Sequence, residues 1–325
     1  MKILKTACFA LALAGTATGA LAQTYPSRVI TWIVPFSAGG PTDGMARNIA
    51  SRISQEVGQQ IIIENRAGVG GTLGAGQAAK AKPDGYTFLV GHLGYMGAAP
   101  SLYKKLPYDP IKDFDAVFRF PDTPMVLLVP QASPHKTAAD LIAFAKKNPG
   151  KINFGNAGAG STSHLIAALF ASKAGIDVVS IPYKGAAPAL NDLMGGQVDA
   201  MFDQTNTALP QVQGGRVRAI ALTSTKPLAQ FPDVAPLADS TLPGFEAATW
   251  YGLYAPKGTP EEVIRTMHQA YVKAMGETEW TQKMAEQGIH LLPQAEYAPE
   301  AFGKHTQAEI EKWRAVATEA KITLD

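Results

Sequence analysis

Buried strands and amphipathic helices alternate along this chain in two separate series. The first series opens with the apolar run Val29–Val34, after which Met45, Ile49, Ile53 and Val57 recur every four residues. A short apolar run predicts a buried strand, and a four-residue spacing predicts one buried face of a helix. The alternation continues through Ile61–Ile63, a small-residue helix near Leu73–Ala81, and Tyr86–Val90. This order of elements is typical of a parallel α/β sheet.

The second series begins after Pro130. Its predicted elements are a helix at Ala138–Lys147 and strands at Ile152–Phe154, Val178–Pro182, Val198–Phe202 and Arg218–Thr223. A chain of 325 residues exceeds what one hydrophobic core usually organises. We therefore predict an α/β fold of two lobes, each a doubly wound and mostly parallel sheet.

Two similar apolar segments lie at the ends of the second series, and each precedes a predicted helix. They are Val126–Pro130 and Gly252–Pro256, and we interpret them as the two crossover segments that hinge the lobes. The first lobe is then residues 23–124 plus 250–325, and the second is residues 125–249. The C-terminal helices are expected to pack on the first lobe.

The first 22 residues have the pattern of a secretory signal peptide. Lys2 and Lys5 precede the apolar run Ala7–Leu13, and Ala20–Ala22 supplies small residues for cleavage after Ala22. The apolar run is far shorter than the roughly 20 residues of a membrane span. The mature protein is therefore expected in the periplasm.

Composition excludes several classes of function. The one cysteine, Cys8, lies in the predicted signal peptide, so disulfides, thiol catalysis and cysteine-bound metal are not expected in the mature chain. The two lysines of the signal account for the net charge of +2. A neutral mature chain is not expected to bind nucleic acid or an anionic membrane.

Each series contains one glycine loop between a strand and a helix. The first is Pro35–Asp43, PFSAGGPTD, and the second lies within Ile152–Ile166, INFGNAGAGSTSHLI. A helix N-terminus presents unpaired N–H groups and the positive end of the helix dipole, and glycine lets an anion approach the backbone. One such loop alone could simply start a helix. Two of them at the carboxyl ends of strands, where open sheets bind ligands, predict a carboxylate held between the lobes.

Catalytic motifs are incomplete in these loops. Ala159 and Ser163 stand where a nucleophile elbow around Ser161 needs glycines. The sequence after the glycines also lacks the G-K-[ST] of a phosphate loop, and Leu73 replaces the third glycine of a dinucleotide fingerprint. The histidines lack metal-binding spacing, and a buried His164 in a first helical turn should be neutral. An exported hydrolase that uses Ser161 with His164 or His92 stays open as an alternative.

Acidic and aromatic residues at predicted strand ends admit two interpretations. Asp203 follows the strand Val198–Phe202, where it could accept a hydrogen bond from a ligand hydroxyl or cap the helix that begins near Thr205. Trp32 and Trp250 are expected in the core rather than at a ligand.

Eight short stretches of this chain occur in the same order in one known family. They are Tyr25–Arg28, Val34–Asp43, Glu64–Gly68, Lys82–Tyr86, Leu106–Pro110, Pro182–Gly185, Gly195–Asp199 and Leu242–Phe245. On these stretches the chain resembles the periplasmic solute-binding receptors of tripartite tricarboxylate transporters, also called Bug proteins. The resemblance implies a type II-like periplasmic binding protein fold that closes on a small organic acid and delivers it to membrane permease subunits.

The resemblance also implies which residues hold the ligand. Backbone amides, hydroxyls and water would bind the carboxylate, since neither loop contains an arginine. The ligand-binding residues carried over are Phe36, Ser37, Ala38, Gly39, Gly40 and Asp43 from the first lobe, and Gly158, Ala159, Gly160, Ser161, Thr162, Ser163, Lys184 and Asp203 from the second. Asp43 is expected to organise the loop amides. The expected protein is a monomer without cofactor or metal, and a sensory receptor for the same ligands stays open.

One segment departs from the family pattern. Gly91–Gly97 reads GHLGYMG where many members have small polar residues, and it follows a strand that should end at the cleft. His92, Tyr95 and Met96 there favour an aromatic carboxylate, through ring packing and a histidine bond to a second carboxylate. We therefore add His92 and Tyr95 to the predicted ligand-binding residues.

Overall fold

The computed structural model describes residues 25–319 and residue 324. The predicted signal peptide, residues 1–22, lies outside this part of the chain. Within the described ranges, every helix is too short or too polar to cross a bilayer.

Strands and helices alternate as the sequence predicts, with small shifts at the element ends. The strands are β1 (Ile30–Val34), β2 (Ile61–Asn65), β3 (Thr87–His92), β4 (Phe114–Arg119), β5 (Thr123–Pro130), β6 (Asn153–Asn156), β7 (Val179–Pro182), β8 (Ala200–Gln204), β9 (Val217–Leu222), β10 (Ala248–Thr249) and β11 (Tyr251–Pro256). The helices are α1 (Pro41–Val57), α2 (Thr72–Ala78), α3 (Ala99–Leu102), α4 (Ala138–Lys147), α5 (Thr162–Ala174), α6 (Ala186–Met194), α7 (Thr205–Gln213), α8 (Leu237–Ser240), α9 (Glu261–Met275), α10 (Thr278–Glu286) and α11 (Pro299–Glu319).

These elements form two sheets with one shared strand order. The first sheet runs β2-β1-β3-β11-β4, and the second runs β7-β6-β8-β5, with β9 and β10 both paired to β5. Strands β2, β1 and β3 are parallel neighbours in the first sheet, and β7, β6 and β8 are parallel neighbours in the second. The two-lobe α/β fold is thus confirmed.

One antiparallel strand in each sheet comes directly from the other lobe. Strand β11 lies antiparallel between β3 and β4, and β5 lies antiparallel between β8 and β9. A strand that arrives from the neighbouring lobe enters its sheet from the opposite end, which explains its direction. Each sheet is therefore mostly parallel, as predicted, with β11 or β5 as its one antiparallel strand.

The predicted hinge segments are themselves these two strands, so that part of the interpretation is wrong. Val126–Pro130 belongs to β5 and Gly252–Pro256 to β11, and both strands are almost completely buried. The chain instead crosses between the sheets at Phe120–Asp122 and at Trp250. A buried strand and an apolar connection have the same composition, so the sequence did not separate them. The lobe limits 23–124 plus 250–325 and 125–249 stay a prediction.

The C-terminal helices pack on the first lobe, as expected. Helix α9 lies against α1, and α11 lies against β4 and the turn that follows β3. Glu309 of α11 accepts hydrogen bonds from the indole nitrogens of Trp250 (3.0 Å) and Trp313 (3.2 Å). Trp32 and Trp250 are both buried in the core, which confirms that expectation. Helix α11 therefore fixes one of the two crossings.

Candidate functional site

The first glycine loop connects β1 to α1 and is organised by Asp43. The Oδ2 atom of Asp43 accepts hydrogen bonds from the Gly39 N–H (3.0 Å) and from Arg47 Nε (2.9 Å), and its Oδ1 accepts from Asn65 Nδ2 (2.9 Å). Burial raises the pKa of Asp43, but the bonds from Arg47, Gly39 and Asn65 together outweigh it and hold the pKa below its ordinary value. Asp43 therefore holds the loop as an anion, as predicted.

Helix α1 begins with a backbone that suits an anion site. Gly40 is the N-cap and Pro41 occupies the first turn, where its missing N–H is not needed. As a glycine, this N-cap residue has no side chain that could accept a hydrogen bond from the first-turn N–H groups. The free N–H groups of the first turn thus point out of the helix end without a side-chain acceptor.

The second glycine loop connects β6 to α5 and is held by its own polar side chains. Ser163 Oγ accepts the Ala157 N–H (2.9 Å), Asn156 Oδ1 accepts the Gly158 N–H (3.0 Å), and Ser161 is the N-cap of α5. His164 Nδ1 accepts the Gly160 N–H (3.2 Å), and burial lowers the pKa of His164. This lowered pKa favours the neutral form that the sequence predicts for His164.

The two lobes are closed on each other in this structure. The Ser37 N–H donates to the Lys184 carbonyl (3.1 Å), and the Tyr103 hydroxyl donates to the Ala159 carbonyl (3.0 Å). Each of these bonds joins an element of the first sheet's lobe to a loop of the second. The closed arrangement brings the two glycine loops face to face.

A small inner cavity lies where the two helix N-termini meet. Its volume is about 20 Å³, which is room for about one water molecule. Its lining consists of Phe36, Gly40, Pro41, Thr42, His92, Met125, Ala157, Ser161, Thr162, Ser163, Ala186, Asp203 and Gln204. None of these described lining residues is lysine or arginine, so positive potential comes from the helix ends.

His92 forms a hydrogen bond across the cleft. Its Nδ1 accepts the Gly94 N–H (3.0 Å), which places the ring proton on Nε2, and Nε2 lies 3.0 Å from Thr162 Oγ1. Burial lowers the pKa of His92 to about 3, so the ring is neutral. While this bond is kept, Nε2 is not available for the predicted bond to a ligand carboxylate.

Asp203 lies on the second lobe's side of the inner cavity and is only 1 % exposed. Its Oδ2 accepts a hydrogen bond from Thr207 Oγ1 (2.8 Å) in the first turn of α7. Burial raises its pKa to about 6, although the bonds from Thr207 and the Gln204 N–H act in the opposite direction. Asp203 therefore bonds to the first turn of α7, and it also lines the cavity. The sequence leaves open whether Asp203 lies at the helix start or at the cleft, and the structure places it at both.

A larger outer cavity of about 620 Å³ adjoins the inner one, and both are lined by Phe36 and Ala157. Its other lining residues are Gly68, Val69, Gly70, Gly71, Gly158, Ala159, Pro182, Tyr183, Lys184 and Pro188. This volume is within the range of small-molecule sites. The outer cavity is mostly apolar, with Lys184 as the cation among its described lining residues.

The loop Gly68–Gly71 was missed as part of the site. Gly70 has φ +59°, and a Cβ atom there would overlap the carbonyl oxygen of Ala159 in the other lobe. Val69 has φ +47° and is 60 % exposed, an unusual conformation for a β-branched residue. The available signal was that this is a third glycine loop at the end of a parallel strand, β2, and thus at the same edge of the sheet.

Six predicted site residues line neither cavity: Ser37, Ala38, Gly39, Asp43, Tyr95 and Gly160. Four of them form hydrogen bonds described above. Ser37 bonds across the cleft to Lys184, Gly39 and Asp43 bond to each other in the first loop, and Gly160 bonds to His164 in the second.

Tyr95 is different, because it was expected to face the ligand. It is fully buried with Met96, its ring stacks on His92 at 5.4 Å, and its hydroxyl donates to the Val90 carbonyl. A π-helical turn at Leu93–Ala98 directs both side chains into the core behind His92.

The contacts of Ser161 do not form a nucleophile–base pair. Its Oγ lies 3.2 Å from Ser163 Oγ and accepts the His164 N–H at 3.4 Å, whereas His92 Nε2 and His164 Nδ1 bond to Thr162 and Gly160. This geometry therefore does not support the hydrolase interpretation, in which His92 or His164 would accept a proton from Ser161. In the described part of the chain, no three His, Cys, Asp or Glu residues are grouped so that they could hold a metal ion.

Two lobes of equal strand order, closed over a cavity at the carboxyl ends of their parallel strands, define a two-lobe periplasmic binding protein. The family model described as "Tripartite tricarboxylate transporter family receptor" (TctC) matches residues 45–322. The chain belongs to this family of solute-binding receptors.

Solved structures of similar proteins agree with this assignment. The periplasmic binding protein BugD is 37% identical, with a TM-score of 0.88 over 92% of this chain and 99% of its own. MatC of Rhodopseudomonas palustris with bound malate is 36% identical, with a TM-score of 0.86 over 90% and 99% of the two chains. Rpa4515 of R. palustris with adipate is 35% identical, with a TM-score of 0.88 over 92% and 99%.

Proposed function

We propose that this protein is exported to the periplasm, with cleavage after Ala22, and captures a small organic carboxylate between its lobes as a monomer. It then delivers the acid to the membrane permease subunits of a tripartite tricarboxylate-type transporter. The single observation that carries this proposal is the convergence of two helix N-termini on one buried cavity. Similar proteins with bound malate and adipate support a carboxylic acid as ligand.

The carboxylate would bind at the inner cavity. The first-turn amides of α1 and α5 and the hydroxyls of Ser161, Thr162 and Ser163 supply hydrogen-bond donors there. Neutral donors need less desolvation than a guanidinium clamp, which suits a cleft that must open again to release the ligand. When the lobes close, the acid would be held between hydrogen-bond donors of the first lobe and hydrogen-bond donors of the second.

The rest of the ligand would occupy the outer cavity. Phe36, Val69, Pro182, Tyr183 and Pro188 give this cavity an apolar lining, so it favours a ligand with an apolar body. We propose an aromatic carboxylate for this reason, now through packing in the outer cavity rather than against Tyr95. Lys184, at the same cavity, would bind a second acid group.

Thermal shift tests the ligand class directly. The purified mature protein is heated with benzoate, phthalate, malate, adipate and citrate, each over a range of concentrations. A ligand at about 100 times its Kd stabilises the fold by roughly 2.7 kcal/mol. Stabilisation by aliphatic acids alone would contradict the proposal of an aromatic ligand but would still support a receptor for carboxylates. Absence of stabilisation by every acid would contradict the receptor proposal itself.

A further inference from the structure

The inner cavity combines two features that oppose each other electrostatically. The N-termini of α1 and α5 meet there and attract an anion. The carboxyl group of Asp203 lines the same cavity and is 1 % exposed. An acid buried beside an anion site needs an explanation, because like charges in a shared low-dielectric site disfavour each other.

Among the cavity-lining residues that the structure describes, no cation compensates such a pair. The described residues that line the cavity include neither lysine nor arginine, and the hydrogen bonds to the Asp203 carboxyl come from two neutral donors, the Thr207 hydroxyl and the Gln204 N–H. With an ionised Asp203 and a bound carboxylate, two buried negative charges would share a cavity whose only positive potential is that of the helix ends. Uncompensated buried charge is among the most expensive arrangements in proteins.

A proton removes this conflict. We propose that Asp203 binds the ligand's carboxylate as the neutral acid, donating its own hydrogen bond, so that each carboxylate bound brings about one proton into the protein. This inference rests on the proposed function, since it assigns a role within the same site. The proton comes from solvent and stays on an Asp203 oxygen, and it returns to solvent when the acid leaves.

The neighbouring titratable groups do not offer another acceptor for this proton. His92 of β3 is neutral, with a pKa lowered to about 3 by burial, and Tyr251 of β11 has its pKa raised by burial. Asp43 of α1 is bonded to Arg47 and Asn65 with a lowered pKa. His164 of α5 accepts the Gly160 N–H, and burial lowers its pKa as well. Of the two titratable side chains that line this cavity, His92 and Asp203, Asp203 is the one whose charge changes between pH 5 and 8, consistent with its raised pKa.

The opposite role for Asp203 would be that of an ionised acceptor for a ligand hydroxyl or ammonium group. That role needs a ligand that carries a hydroxyl or ammonium group beside its carboxylate. Asp203 lines the same cavity as the N-terminal residues of α1 and α5, so a carboxylate held by these N-termini lies next to Asp203. The geometry therefore favours contact between Asp203 and the carboxylate itself.

Isothermal titration calorimetry measures this proton directly. Binding of malate, adipate, phthalate and benzoate is titrated at pH 7.5 in phosphate and in Tris, two buffers with different ionisation enthalpies. The difference in apparent enthalpy gives the number of protons taken up, and we expect about one for each acid that binds. The Kd should rise by up to about tenfold per pH unit above pH 6 and level off at lower pH.

Two variants separate the roles of Asp203. Asp203→Asn keeps a neutral hydrogen-bond donor, so it should bind the same acids with no proton uptake and a Kd that is independent of pH. Asp199→Asn is the matched control, since Asp199 directly precedes β8 and its carboxylate accepts hydrogen bonds from Asn153 away from the cavity. This control should keep the proton uptake and the pH profile of the parent protein.

Each outcome decides between the hypotheses. Binding of an acid by the parent protein without proton uptake overturns the inference, even if Asp203→Asn fails to fold. A loss of more than about tenfold in affinity at every pH in a folded Asp203→Asn overturns it too, in favour of an ionised acceptor. Binding of none of the acids by the parent protein, at any pH, overturns the proposed function and the inference with it.

Discussion

His92 Nε2 and Thr162 Oγ1 lie 3.0 Å apart and join the end of β3 in the first lobe to the first turn of α5 in the second. Because His92 Nδ1 accepts from Gly94, the Nε2–H is the donor of this bond. The bond exists only when the lobes are closed. It therefore contributes to closure directly, and the two residues that form it also line the ligand cavity.

Removal of this bond should favour the open form. Thr162→Val keeps the shape of the side chain but leaves the His92 N–H without an acceptor, at a cost of about 1–3 kcal/mol. We expect a corresponding loss of ligand affinity of about 5- to 150-fold. A double-mutant cycle with His92→Phe, measured by calorimetry, should give a coupling energy of about 0.5–1.5 kcal/mol. Strictly additive losses would show that the contact does not act as a pair.

A Cβ atom at Gly70 should prevent closure. It would overlap the Ala159 carbonyl oxygen across the cleft, and backbone cannot move aside as a flexible side chain can. Gly70→Ala should therefore keep the radius of gyration of the open protein in X-ray scattering, with or without ligand.

The control for this variant is Gly196→Ala. Gly196 also has a positive φ (+70°), but its Cβ would meet nothing within 4 Å. Both variants carry a similar backbone cost of about 1 kcal/mol, and only Gly70→Ala should block compaction. Equal compaction in both would contradict the closed geometry described above.

Acid should weaken the fold through Asp43. The pKa of this carboxyl is lowered in the folded state, so its stabilising contribution is present above the unfolded pKa of about 3.9 and is lost as pH falls through the folded value. Asp43→Asn should lower the melting temperature at pH 7, and its difference from the parent should shrink as pH falls below about 3.9. Arg47→Gln, which removes one partner only, should show a smaller difference of the same sign.

Asp203 should destabilise the folded protein at neutral pH. Its pKa rises to about 6 on folding, so the folded state binds more protons than the unfolded state between about pH 4 and 6. Stability is therefore lost as pH rises through this window and stays low above it. Asp203→Asn should be more stable than the parent at pH 7.5 by on the order of 3 kcal/mol, and the two should converge near pH 4. Urea unfolding at both pH values measures the difference, and a variant less stable than the parent at pH 7.5 would contradict it.

The local units of the fold could be predicted from sequence because their signals lie within a few residues. The four-residue spacing of Met45, Ile49 and Ile53 does mark the buried face of α1, and Pro41 and Ser161 do mark helix starts. Once the helix starts are known, the glycine loops directly before them can be located as well. The parallel order of strands then places both loops at the cleft.

Other features depend on contacts between distant residues and leave no local pattern. The direction of β5 and β11 is set by which lobe the chain comes from, and their apolar sequences are those of any buried strand. Tyr95 was expected at the ligand because it follows a strand end, but the π-helical turn at Leu93–Ala98 rotates it into the core. The burial of Asp203 without a cation also requires the positions of both lobes.

The position of β11 has a consequence for how the chain assembles during synthesis. Strand β11 separates β3 from β4, so the first sheet stays incomplete until Tyr251–Pro256 has been made. By then the second sheet's strands β5 to β9, which follow one another without interruption, are all present. The lobe that begins first is thus the last to be finished, and the edge of β3 is left unpaired in the meantime. An unpaired edge strand is a site for aggregation, so the nascent chain is most vulnerable while its middle portion is being added.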